Sequence, residues 1–162
     1  MRVIFLDIDG VLNSMDWYKR RTRVKSKTWD EYHAQEFDPV ALALIKRVIS
    51  ETGAKVVLSS TWRLSKEGVK FIKGLGIDIL DVTPHLPRPT STSVEYCERG
   101  KEIQAWIEKN IEDRGEVVDR YVIIDDDTDM LPEQQEQFFN TDNRFGLTEP
   151  IAKEIIWYLK KK

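Results

Sequence analysis

Short apolar runs punctuate the chain, and each stops at a polar cluster. Arg2–Leu6 leads into Asp7-Ile8-Asp9-Gly10, Lys55–Leu58 into Ser59-Ser60-Thr61, and Tyr121–Ile124 into Asp125-Asp126-Asp127. Ile77–Val82 leads into a proline-containing loop from Thr83 to Ser93. Apolar runs of this length bounded by turn formers predict buried β-strands. Gln137–Thr141 reads as a short fifth strand. Between the strands the apolar period changes to three or four. Asp38-Pro39 supplies an N-cap with proline at the first helical position, and Val40, Leu44, Ile45, Val48 and Ile49 continue the helix to Gly53. Ser65–Lys73, closed by Gly74, reads as a short helix. Gly100–Asn110 places Ile103, Trp106 and Ile107 on one face, and Thr148 caps a last helix through Ile151, Ile155, Ile156 and Leu159. Ser14 to Glu36 shows neither period and reads as an insertion or flap at about 14–37.

Strands alternating with helices predict an α/β domain, a parallel sheet covered by helices on both faces. Such sheets bind ligands at the carboxyl ends of their strands. Asp7/Asp9, Ser59–Arg63 and Asp125–Asp127 should therefore meet at one edge. Residues two apart in extended backbone share a side, so Asp7 and Asp9 face one pocket while Ile8 packs the other way. Gly10 permits a sharp turn and a close backbone approach. Crowded carboxylates repel unless a cation or a shared proton intervenes, and hard oxygen ligands favour Mg2+. Ser59, with Ser60 beside it, offers hydroxyl and backbone N–H to a phosphate oxygen. Arg63 and one of Arg99 or Lys101 would neutralise phosphate charge. Acids for a metal, a carboxylate free to attack, a hydroxyl and a cation form a set suited to phosphoryl transfer. No Walker loop is present, which excludes P-loop nucleotide hydrolysis.

The chain has 162 residues, 41% of them hydrophobic, enough for one domain spanning 1–162 with a core that needs no disulfides. Its single cysteine, Cys97, fits a reducing compartment and has no paired histidine at a recognisable spacing. No apolar run is long enough to span a bilayer, and acids at positions 7 and 9 do not fit a signal peptide, so a soluble cytoplasmic protein is expected. A net charge of −3 excludes a uniformly basic nucleic-acid binder. The flap is different. Lys19, Arg20, Arg21, Arg23, Lys25 and Lys27 fall there without an intervening acid, flanked by Trp17, Tyr18, Trp29 and Tyr32. Cations with interleaved aromatics suit backbone phosphates and stacked bases. The run also reads as a solvated loop, or as Arg20, Arg21 or Arg23 gripping the phosphate of a small nucleotide. His33 and His85 are isolated and lack metal-ligand spacing. Trp62 reads as core packing or as a wall of the site.

FLDIDGVLN, VVLSSTWR, RGKEI and YVIIDDD resemble the four ordered motifs of the haloacid dehalogenase (HAD) superfamily of phosphohydrolases. The combination is similar to small capless members, the phosphatase domains of polynucleotide kinases that repair RNA and DNA, and it extends from about Val3 to Leu147. The resemblance implies a Rossmann-like fold without a full cap domain. It implies that Asp7 is a nucleophile forming an aspartyl-phosphate and that Asp9 is the general acid/base, its backbone carbonyl also a metal ligand. It implies that Ser59 holds the transferring phosphoryl group and that Asp125, with Asp126, completes an Mg2+ site. The third-motif cation is Arg99 or Lys101, the Arg-Gly-x-Glu-Ile form favouring Arg99. Val11 stands where the family often has threonine. An open site favours a large substrate: a nucleic-acid end, first a 3′-phosphate, then a nucleoside monophosphate, then a phosphoprotein. A repair kinase or ligase partner is compatible with this reading. The alternative is a phosphate- or nucleic-acid-binding module without turnover, against which every catalytic position is filled.

Overall fold

The computed structural model describes residues 1–86 and 98–161. Five strands, β1 (Arg2–Leu6), β2 (Lys55–Leu58), β3 (Ile79–Val82), β4 (Arg120–Asp125) and β5 (Phe138–Asn140), form one parallel sheet in the order β3-β2-β1-β4-β5. The chain lays β2 and β3 on one side of β1, then returns to add β4 and β5 on the other. The winding direction therefore reverses between β1 and β4, where α/β sheets open a crevice at their carboxyl edge.

Among the described residues six helices accompany the sheet: α1 (Met15–Arg20), α2 (Trp29–Ala34), α3 (Pro39–Thr52), α4 (Lys66–Gly74), α5 (Glu98–Arg114) and α6 (Glu149–Lys160). Single 3-10 segments lie at Thr61–Leu64 and Pro132–Gln137. The Asp38 side chain accepts the Val40 N–H at 2.9 Å to start α3, and Gly53 ends it in the left-handed region at φ 66°.

Strand alternation splits the core into two layers. Ile4, Leu6, Val56, Leu58, Val122 and Ile124 pack with α3, α4 and α6 through Ile45, Val48, Ile72 and Ile155. Val3, Phe5, Val57 and Ile123 pack the opposite way, on Ile103 and Trp106 of α5. Phe5 is in register with both Val57 and Ile123. Two residues further on, Asp7, Ser59 and Asp125 therefore form a row on the α5 side. The ladder continues past the strand ends through Asp7 N–H to Ile124 O at 3.0 Å, Ser59 N–H to Leu6 O at 2.9 Å and Thr83 N–H to Leu58 O at 3.0 Å.

The flap is more regular than its sequence period indicates. Ser14 Oγ accepts the Trp17 N–H and Thr28 Oγ1 accepts the Glu31 N–H, both at 3.1 Å, capping α1 and α2. Each helix is six residues long, too short to display a 3.6-residue period. Gln35 ties them together: its carbonyl accepts from Trp17 Nε1 and Arg21 Nη1, and its side chain bonds the Val24 backbone. β3 begins two residues later than expected and α5 runs further at its end, to Arg114. Residues 87–93 of the proline-containing loop, and Cys97, lie outside the described residues. Among the described residues there is no separate cap domain, and no helix is long and apolar enough to cross a membrane.

Candidate active site

The row of residues at the carboxyl edge concentrates acids around one cation. Asp7, Asp125 and Asp126 each present a carboxylate oxygen within 4.8 Å of the others. Arg99, on the first turn of α5, lies with Nε 3.3 Å from Asp125 Oδ2 and Nη2 3.9 Å from Asp7 Oδ1. The helix start is held by the Arg99 N–H, which donates to Asp129 Oδ2 at 3.0 Å.

Burial pushes the Asp7 carboxyl up to about 6, against the pull of Arg99 and of a hydrogen bond from the Ser60 hydroxyl. Burial, reinforced by the neighbouring Asp7, pushes Asp125 up to about 8, again opposed by Arg99. Asp126 is raised too, chiefly by burial. Burial works against the Arg99 charge, but Asp125 and Asp7 outweigh it and raise its pKa. Burial thus favours the neutral forms of these acids despite the nearby guanidinium, and a further cation would favour their ionised forms.

The donor chemistry fits Mg2+. The ligands are hard carboxylate oxygens, and the buried Asp125 Oδ2 accepts no hydrogen bond among the described residues. Asp125 Oδ1 is fixed by the Asp127 N–H at 3.0 Å. Gly10 makes room for the cluster. It sits at φ 78°, and a Cβ there would collide with the Asp126 carboxylate. Thr141 Oγ1 donates to the Gly10 carbonyl at 2.9 Å and pins the turn.

Unpaired donors lie along the same row. Ser59 Oγ, Thr83 Oγ1 and Arg99 Nη1 are buried without a hydrogen-bond partner among the described residues. Leaving a buried polar group unpaired costs about 1–3 kcal/mol, so such groups mark places where a ligand completes the bonding. Two hydroxyls and a guanidinium beside the clustered acids suit the oxygens of a phosphate. Thr83 is new to the set. It follows the third apolar run as Ser59 follows the second, and that position was its only signal in the sequence.

Asp9 stands apart from the acidic trio. Its Oδ1 accepts from Asn13 Nδ2 at 2.7 Å and its Oδ2 from Trp62 Nε1 at 3.1 Å. Buried Asn13 in turn accepts the Gly10 N–H at 2.8 Å. The Asp9 side chain is therefore not among the carboxylates gathered for a cation.

Arg63 does not serve as the phosphate cation. It is buried, with Nε on the Thr83 carbonyl, Nη1 on the Ser59 and Ser60 carbonyls, and Nη2 on Glu102 at 2.6 Å. Its donors brace the loop that carries Ser59 and leave none directed at a ligand. Glu102 went unmarked in the sequence, because its partner lies in another motif. Lys101 is exposed and makes no contact with the acids among the described residues, whereas Arg99 does.

The flap arginines are largely occupied with the flap. Arg20 pairs with Asp16 and Asp38, and Arg21 stacks over Tyr18 at 4.5 Å besides holding Gln35. Arg23 is exposed beside the Tyr32 hydroxyl. Lys19, Lys25 and Lys27 are exposed, and Tyr18, Trp29 and Tyr32 keep large exposed faces.

No curated protein and no solved structure matches the chain significantly. The family model described as the HAD domain in Swiss Army Knife RNA repair proteins matches residues 3–152. That match runs from β1 into α6 and takes in every residue of the acidic row, so the chain belongs to this family of HAD domains.

Proposed function

We propose that the protein is an Mg2+-dependent phosphomonoesterase that works through an aspartyl-phosphate on Asp7 and removes a terminal phosphate, foremost a 3′-phosphate, from nucleic acid. The observation that supports this best is the row itself: Asp7, Asp125 and Asp126 within 4.8 Å, with buried, unpaired Ser59, Thr83 and Arg99 donors in the same row. Asp7, Asp125 and Asp126 would hold the ion, together with the Asp9 carbonyl that the family resemblance adds. Bound there, Mg2+ supplies positive charge that keeps the carboxylates ionised and offsets the charge of the phosphoryl oxygens.

An Asp7 oxygen attacks phosphorus as the bond from phosphorus to the leaving oxygen breaks, and Asp9 gives that oxygen its proton. Water then attacks the phosphorus of the aspartyl-phosphate, Asp9 takes a water proton, and the phosphorus–Asp7 bond breaks to restore the carboxylate. Inorganic phosphate leaves. Ser59, Thr83 and Arg99 hold the equatorial oxygens as charge redistributes. The exposed lysines, Arg23 and aromatic faces of the flap carry the chain beyond the terminal phosphate.

The test is phosphate release, with and without Mg2+, from 3′-phosphorylated oligonucleotide, 5′-phosphorylated oligonucleotide and nucleoside monophosphates, with Asp7→Asn as control. Mg2+-dependent release abolished by Asp7→Asn is expected, fastest on the 3′-phosphate. Faster release from mononucleotides, with a KM insensitive to salt, would replace the nucleic-acid substrate with a nucleotide. No release from folded, Mg2+-binding protein would leave a binding module.

A further inference from the structure

Trp62 joins two parts of the molecule that the sequence keeps apart. Its indole N–H donates to Asp9 Oδ2 at 3.1 Å. Its ring stacks on Phe71 of α4, with centroids 5.6 Å apart and planes 23° from parallel. Phe37, where the flap returns to the core, meets the indole edge-on at 5.7 Å. From α2 of the flap, His33 meets it edge-on at 5.3 Å and Trp29 at 6.1 Å. Trp29 also packs on Phe71 at 5.3 Å and on His33 at 4.1 Å. The indole is thus clamped between α4 and the flap while its one polar atom reaches the carboxylate beside the phosphate site.

This arrangement is more than core packing. Here the N–H takes one oxygen of Asp9 while buried Asn13 takes the other. Each carboxylate oxygen has a single donor from a different wall of the site, and two donors fix both the position and the plane of the group. Asn13 is rigid because its own oxygen accepts the Gly10 N–H. Trp62 has no such internal lock, and its placement depends on the rings around it.

We infer that Trp62 is a positioning residue for Asp9 and that α2 of the flap, through Trp29 and His33, seats it for turnover. This rests on the acid–base role of Asp9 proposed above. Turnover then depends on flap packing even for a substrate too small to touch the flap. The flap acts on the chemical step as well as on substrate binding.

The experiment uses p-nitrophenyl phosphate with the full chain and Mg2+. Trp62→Phe keeps an aromatic ring against Phe71 and removes the donor. Loss of one hydrogen bond to a charged group corresponds to about a 10-fold fall in kcat, with KM changed less than about 2-fold. Trp29→Ala keeps the Asp9 and Trp62 side chains but loosens the clamp on Trp62, and the same direction of change is expected, smaller in size. Trp157→Phe, on the exposed face of α6, serves as the indole control and should leave kcat unchanged. In parallel, the Trp62 indole N–H resonance, identified by its loss in Trp62→Phe, should shift in Asp9→Asn and in Trp29→Ala. Wild-type kcat in Trp62→Phe, or an indole resonance unmoved by Asp9→Asn while the wild-type protein turns over, would overturn the inference. Absence of wild-type turnover on every phosphomonoester would instead overturn the acid–base role beneath it, and the inference with it.

Discussion

Arg63 and Glu102 form a buried ion pair, Nη2 to Oε2 at 2.6 Å, that joins the loop after β2 to the first turns of α5. The same guanidinium gathers the carbonyls of Ser59, Ser60 and Thr83, and the other Glu102 oxygen accepts the Leu86 N–H. Ser59, Thr83 and the helix carrying Arg99 are therefore registered through one contact. Removing one partner strands the other charge in a dry setting, which costs about 3–5 kcal/mol. Glu102→Ala is expected to destabilise by that amount in denaturant titration. A loss under about 1 kcal/mol would mean that the pair does not brace the loop.

Contact geometry favours Arg99 as the third-motif cation, and exchange tests that choice. Arg99 lies against Asp125 and Asp7, while Lys101 is exposed. Arg99→Ala should lower kcat/KM about 10–100-fold, the loss of a charged hydrogen-bond donor to phosphate. Arg99→Lys should recover only part, since an ammonium cannot reproduce a planar fork. Lys101→Ala should stay within about 2-fold of wild type. Phosphate-release kinetics on the three variants decide the assignment, and the reverse order would hand the role to Lys101.

These two cases show what the sequence could and could not reveal. The sheet was legible because each apolar run ends in a polar cluster, and in a parallel sheet those ends share one edge. Asp7, Ser59 and Asp125 follow from that alone. Arg63 was not legible: an arginine four residues after Ser59 looks like a ligand group, and the carboxylate that claims it is 39 residues away in sequence. Arg99 and Lys101 are two residues apart on one helix, so only helix phase and the position of its first turn separate them. Trp62 read as core packing or a wall of the site and Asn13 went unmarked; their contacts with Asp9 depend on the path of the turn after Gly10 and on the seating of the flap. The flap helices went unread, although Thr28-x-x-Glu31 is a spacing that fits a helix start.

Gly10 offers a test that separates backbone strain from site geometry. Gly10 and Gly53 both sit at positive φ, 78° and 66°. A Cβ on Gly53 meets nothing within 4 Å, whereas one on Gly10 meets the Asp126 carboxylate. Gly53→Ala should cost about 1 kcal/mol through backbone conformation alone and leave Mg2+ binding intact. Gly10→Ala should cost at least as much and also displace Asp126. Calorimetric titration with Mg2+ should show weakened binding for Gly10→Ala only. Equal Mg2+ affinity in the two variants would remove Asp126 from the proposed ligand set.

The raised carboxyls predict a pH dependence of stability and, at the proposed site, of Mg2+ affinity. Burial lifts Asp7 from 3.8 to about 6, and burial with the neighbouring Asp7 lifts Asp125 from 3.8 to about 8. In the metal-free protein the folded state therefore holds protons more tightly than the unfolded chain between those limits. Folding stability follows the difference in bound protons, so without metal it should fall as pH rises from about 4 to about 8. The folded-state advantage is complete below the unfolded value and is gone once both carboxyls ionise. At the proposed site Mg2+ would bind the ionised carboxylates and displace those protons, so its affinity should rise across the same window. The gain in Tm on adding a fixed Mg2+ concentration should be larger at pH 8 than at pH 5, and Asp125→Asn should flatten the metal-free pH profile and reduce the Mg2+ gain together. Thermal melts across pH with and without Mg2+ test both halves. A Tm gain independent of pH would show that the ion is held by groups other than these buried acids.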